Sequence, residues 1–181
     1  MITLVRPQLE HKLEAIAFKE AFFSNGETVI NGSAMFDKLN FEEWLDSVKK
    51  NSHPATVSKD WVVSSTFFVK RNSDQMIIGM LDIRHNLEQA FLRTYGGHIG
   101  IAVKPSERKK GYATLILNAG LDYAKSIGIT EVMLGCYVDN HASNKLIRNC
   151  GGTLRETKPL LYPGQICMDP KDVNIYWIHL D

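Results

Sequence analysis

Residues 103–120 read VKPSERKKGYATLILNAG. The basic run Arg108, Lys109 and Lys110 stops at Gly111, and an apolar pattern of helical period follows at once. Ala113, Ile116, Leu117, Gly120, Leu121, Ala124 and Ile127 recur at three and four residues, one face of a helix, with Gly128 as its stop. GGHIGIAV, before the stretch, is a strand apolar on both faces from Ile99 to Val103, as expected in the middle of a sheet. TEVMLGCYV, after it, is another strand. A strand, a helix and a strand in that order predict a parallel, right-handed unit over 98–138.

A helix start exposes unpaired N–H donors and carries partial positive charge. A tight preceding loop can aim further N–H groups at the same point, and glycine lets a bulky anion reach the backbone. Two readings therefore stand for RKKGYA, a solvated loop or a seat for pyrophosphate. The context of a buried strand before and a helix after favours the seat, because ligands of such sheets lie at the carboxyl ends of the strands. Neither GxGxxG nor GxxxxGK is present, which disfavours dinucleotide and P-loop binding.

Outward from this centre, MITLVRP is a first strand closed by Pro7. LEHKLEAIAFKEAFF is a helix with Leu9, Leu13, Ile16, Ala17 and Phe23 at near-helical spacing, and FEEWLDSVKK is a second, shorter one. WVVSSTFFVKR and DQMIIGMLDIRH form an antiparallel hairpin about Asn72 and Ser73. NHASNKLIRNC is a short helix, and strands around 152–157 and 173–180 close the chain. The order is one strand, two helices, three strands, helix, strand, helix and two strands. The fold class is a mixed α/β (α+β) sheet with helices against it, in one domain over 1–181.

With 21 Lys and Arg against 20 Asp and Glu, the net charge of +1 argues against capture of nucleic acid. No apolar run approaches the ~20 residues of a membrane span, and the N-terminus is charged too soon for a secretory signal. Cys136, Cys150 and Cys167 form no CxxC pair; Cys136 and Cys150 sit within core patterns, and all three read as reduced and structural, in keeping with a cytoplasmic setting. The six histidines show no HxH or HExxH spacing, so no metal is expected.

The stretch VKPSERKKGYA resembles the acyl-coenzyme A loop of the GCN5-related N-acetyltransferases, R/Q-x-x-G-x-G/A, as Arg108-x-x-Gly111-x-Ala113. DNHASNKLIRNCGG resembles that family's second signature, an Asn followed by Ser and a short helix ending in Gly. GGHIGIAVKPSERKKGYAT with the late YWI is similar to a bacterial subgroup of predicted acetyltransferases. The resemblance implies a mostly antiparallel sheet whose central parallel pair splays to admit acetyl-CoA. It implies that the backbone of Ile101, Ala102 and Val103 holds the pantetheine and thioester. The N–H groups of Arg108, Lys109, Lys110, Gly111, Tyr112 and Ala113 would hold the pyrophosphate. Asn140, Ser143 and Asn144, on one face with Ile147, would meet the pantetheine arm.

For the chemistry, His98, Gly100 and Ala102 share a strand face whose small residues leave room beside the imidazole. His98 stands where many members carry a glutamate base, and histidine can deprotonate an amine near neutral pH; a hydrogen-bonded structural histidine is the alternative. The family's usual tyrosine acid is replaced by Ile147, leaving Ser143 or Tyr137 to donate to the thiolate. Asp82, Arg84 and His85 sit at a strand end near the expected acceptor site. The expected activity is acetyl transfer to a primary amine, on a small molecule or a peptide, by direct attack on the thioester. The alternatives are a catalytically silent acyl-CoA-binding module and an unrelated phosphate binder. The strand-rich C-terminus could pair across a homodimer.

Overall fold

The structure is a computed structural model, and it describes residues 1–161 and 171–180. Cys167 lies outside the described residues. The elements follow the expected order: β1 (Ile2–Val5), α1 (Lys12–Ser24), α2 (Phe41–Asn51), β2 (Ser64–Arg71), β3 (Ile77–Arg84), β4 (Ile99–Val103), α3 (Tyr112–Ser126), β5 (Glu131–Tyr137), α4 (His141–Asn149), β6 (Thr153–Pro159) and β7 (Asp172–His179). Helix α2 starts where Asn40 accepts the Glu43 N–H at 2.9 Å, and α3 stops at Gly128, whose φ is +88°.

The strands form two sheets, β1-β2-β3-β4 and β5-β7-β6, and every ladder among the described residues is antiparallel. The expected parallel β4–β5 pair is not zipped into a ladder. The two sheets join at an isolated bridge between Gly97 and Leu134, so β4 is an edge strand and not the middle of a sheet. Its apolar character has another cause, because both of its faces are covered.

Ile99 and Val103 face a core with α3, β5 and β7 that includes Leu117, Leu134 and Tyr176. Ala102 faces a second core with α1 and α2, built around Trp44, Phe68 and Met80. The Trp44 Nε1–H donates to the Ser33 carbonyl at 2.7 Å, which satisfies that buried indole.

The contact face of α1 differs from the sequence reading. Ala15, Phe18 and Phe22 are buried, whereas Leu9, Leu13 and Phe23 are exposed. KLEAIAFKEAFF is apolar around much of its circumference, so spacing alone selects no face. The face that carries two aromatic rings wins, since Phe18 and Phe22 packed on one side bury more area than the single ring of Phe23 on the other.

Candidate active site

The phase of β4 is fixed by two bonds to β3, Arg84 N–H to His98 O and Lys104 N–H to Ile78 O, both 2.8 Å. Alternation then turns the amide groups of Gly100 and Ala102 toward β3 and those of Ile99, Ile101 and Val103 toward β5. Across the gap, the same alternation from Val138 N–H to Asp172 O turns Met133, Gly135 and Tyr137 toward β4. Among the described residues, main-chain bonding closes the gap at its start. There the His98 N–H donates to Met133 O at 2.8 Å and the Met133 N–H donates to His98 Nδ1 at 3.0 Å. Farther along, the Val103 carbonyl accepts from Arg108 Nε at 3.1 Å. The peptide groups of Ile99 and Ile101 on that edge have no partner among the described residues.

The parted strands enclose a cleft of about 240 Å³, with Ile99 to Ile101 on one wall and Leu134 to Tyr137 on the other. Asn140, at the N-cap of α4, and Ser143 and Ile147 within it close one side. Asn144 does not join them. It is buried, its Nδ2 donates to Tyr137 O at 2.9 Å and Asn140 O at 2.8 Å, and its Oδ1 accepts from Asn174 Nδ2 and Tyr176 Oη at 2.8 and 2.7 Å. That side chain is committed to holding α4 against β5 and β7. The Asn140 Oδ1 caps α4 by accepting the Ser143 N–H at 3.1 Å. The hydroxyls of Ser143 and Tyr137 make no hydrogen bond among the described residues.

His98 is 7% exposed and is not among the residues lining the cleft. The space expected beside it is filled: a Cβ built on Gly100 would stand 2.8 Å from Gly32 Cα and 3.2 Å from Arg84 Nη1. Burial, with the Arg84 charge added, pushes the His98 pKa down to about 4. A neutral imidazole whose Nδ1 accepts a hydrogen bond carries its proton on Nε2, so it offers a donor and not a base. Ala102 likewise faces the α1–α2 core and offers the gap nothing.

Past β4, the chain turns at Lys109 (φ +60°) and Gly111 (φ +83°) into α3. The backbone N–H groups of Lys109, Lys110, Gly111, Tyr112, Ala113 and Thr114 find no acceptor among the described residues. A run of donors leading into a helix start is an anion nest. Arg108 stands apart from it. Its N–H donates to Pro105 O at 3.3 Å, its guanidinium grips the Glu27 carboxylate at 2.7 and 2.8 Å, and it stacks 5.3 Å from the centre of the Phe22 ring. Arg108 therefore anchors the loop to the end of α1 rather than facing an anion, and its hydrogen bond holds the Glu27 carboxyl below the usual range. The Lys110 ammonium reaches the buried Glu107 at 3.0 Å, while Lys109 forms no ion pair among the described residues.

The family model described as Acetyltransferase (GNAT) family matches residues 34–151, which takes in the gap, the nest and both walls of the cleft. The chain belongs to the GNAT acetyltransferase family. It is an acyltransferase of that family. A search of curated proteins returns no match. Among solved structures, the microcin C7 self-immunity acetyltransferase MccE in complex with acetyl-CoA and AMP is similar at TM-score 0.72 and 18% identity, over 99% of this chain and 92% of that one. The spermidine/spermine N-acetyltransferase SpeG from Vibrio cholerae is similar at 0.66 and 19%, over 98% and 93%. A GNAT-family acetyltransferase from Streptococcus pneumoniae is similar at 0.67 and 16%, over 99% and 100%. At these identities the likeness is one of fold.

Three features of this GNAT cleft were missed by sequence reasoning. A single π-helical turn, Leu92–Gly96, precedes β4 and carries Phe91 and Tyr95 to the mouth of the cleft. The Tyr95 hydroxyl donates to Pro159 O at 3.1 Å and is held there. Gly32, in the loop between α1 and α2, packs on the Gly100 peptide, where a Cβ on Gly32 would stand 2.2 Å from the Gly100 oxygen. Cys136, read as core, is half-buried on the cleft wall, and burial pushes its thiol up to about 11. The pair Gly96-Gly97 just after Tyr95 was the one available signal for the irregular turn.

Proposed function

We propose that this protein, as one N-acetyltransferase domain over 1–181, transfers an acetyl group from acetyl-CoA to a primary amine by direct attack on the thioester. The observation that carries the reading is the continuity of two unsatisfied main-chain surfaces. The free Ile99 and Ile101 edge of β4 leads into the N–H nest of residues 109–114. A thioester arm of pantetheine, itself rich in amides, suits the first, and a pyrophosphate suits the second. The Ile101 N–H, directed into the gap, polarises the thioester carbonyl.

In the step itself, the neutral amine nitrogen donates its lone pair to the carbonyl carbon, the C–S bond breaks, and the thiolate takes a proton. Tyr137 or Ser143, whose hydroxyls on the cleft wall have no partner among the described residues, donates that proton. The high pKa of Cys136 keeps it a thiol, which argues against an acyl-cysteine relay. His98 acts as a positioning residue that pins β5 to β4 at the closed end of the gap, and the amine loses its proton to water. The test is release of free coenzyme A thiol across a panel of primary amines. Amine-dependent release is expected. Acetyl-CoA binding with no release from any amine would replace this reading by that of a silent acyl-CoA-binding module.

A further inference from the structure

Among the described residues, one charged side chain faces this cleft. Among the described residues that line it, Arg84 is the only ionic one; the others are apolar, small, hydroxylic or amide. Arg84 ends β3 and stands beside Gly100, one residue before the Ile101 N–H, with a side chain 13% exposed. Its position is fixed from behind. Asp82 is 1% exposed, and its Oδ1 accepts from Thr66 Oγ1 at 2.7 Å. Asp82 Oδ2 lies 2.8 Å from Arg84 Nε, but the N–H is not aligned along that contact, so it is an ion pair without a good hydrogen bond. The remaining guanidinium donors have no acceptor among the described residues. A guanidinium carries five N–H groups in a planar fork matched to a carboxylate. Here the charge is balanced by a buried Asp82 while the outer part of the fork is left open to the cleft.

Resting on the transferase reading above, we propose that the acceptor is a free amino acid, and that Arg84 is the specificity-determining residue that binds its carboxylate. The lining discriminates among amine classes. A polyamine or a lysine side chain would bring a second cation beside Arg84, and no carboxylate among the described lining residues answers it. A peptide N-terminus would present a neutral amide where the open fork is placed. An amino acid presents a carboxylate to the fork and its amine two bonds away, toward the thioester edge at Ile101. Phe91 and Tyr95, at the mouth, leave an apolar surface for the amino acid's side chain.

The experiment compares kcat/KM of the intact enzyme, with acetyl-CoA, on matched sets of free amino acid, its amide and its decarboxylated amine, for several side chains. An amino-acid amide has the less basic amine, so intrinsic reactivity at neutral pH favours the amide over the acid. The expected result is the reverse, with acids preferred by on the order of 10–150-fold, the worth of a charge-assisted contact. The paired substitution Asp82→Asn with Arg84→Met, which leaves no lone buried charge, should collapse the acid-to-amide ratio toward one. Amides or simple amines used as well as the acids by the unmodified enzyme would overturn the proposal while leaving the transferase reading intact. A preference for acids that survives the paired substitution would overturn the role of Arg84. Absence of thiol release with every amine would instead defeat the transferase reading itself, and this proposal with it.

Discussion

Replacing His98 separates a positioning role from a catalytic one. His98→Ala removes the acceptor of the Met133 N–H, and Met133 is 2% exposed. An unpaired buried amide costs about 1–3 kcal/mol and the vacated imidazole volume adds to it, so a loss of ~2–4 kcal/mol is expected. His98→Asn is the informative variant, because its Oδ1 stands near the position of Nδ1 and keeps the bond to Met133. With an imidazole pKa of about 4, the wild-type ring is already neutral through the assay range. The kcat/KM profile from pH 6 to 9 should therefore carry no inflection from an enzyme imidazole. It should rise with deprotonation of the acceptor amine and keep its shape in His98→Asn, with rates within about threefold. Loss of a general base would cost 10²–10⁴-fold. Such a loss in His98→Asn, with melting temperature maintained and an inflection near pH 6.5–7 abolished, would refute the reasoning.

The same histidine makes stability depend on pH. Its folded pKa lies below the unfolded value of ~6.5, so the neutral ring's contribution is full above pH 6.5 and is lost as pH falls toward 4. The upper bound is roughly 3 kcal/mol before solvent screening reduces it. Urea midpoints from pH 8 to 4 should fall more steeply in wild type than in His98→Asn; parallel curves would contradict the shift. Asn144→Leu should lower the urea midpoint by the equivalent of ~3 kcal/mol or more, because Asn174, Tyr176 and the carbonyls at the end of β5 lose their shared partner. A neutral effect there would show that the Asn144 network is dispensable. Cys136→Ala should retain turnover within about threefold, since the thiol carries no negative charge near neutral pH. Loss of activity with intact acetyl-CoA binding would reopen a thiol relay.

The order of elements was legible because each carries a strong local signal: β-branched and aromatic runs in the hairpin and a 3.6-residue stripe on α3. The nest was legible for the same reason, since a strand, a glycine and a helix start are local. What failed was non-local. The partner of His98 is Met133, 35 positions away, and nothing in HIGIAV announces it. The expected room beside Gly100 is filled by Gly32 from a distant loop. Arg108 and Asn144 match the family's signatures in type, yet their side chains are spent on Glu27 and on Asn174 and Tyr176. Motif spacing reports which residues are near a site, and burial decides which of their atoms are free.

Calorimetric titration of acetyl-CoA into wild-type protein and Gly111→Glu tests the central claim most directly. A Cβ at Gly111 would meet nothing within 4 Å, so the fold can accept the substitution at the modest cost of a positive φ, while a carboxylate is placed over the nest. The account predicts saturable binding to wild type and a weakening of at least ~100-fold in Gly111→Glu, with free coenzyme A affected alike. Equal binding by the two folded proteins, or none by wild type, would contradict the phosphate seat and the function built on it.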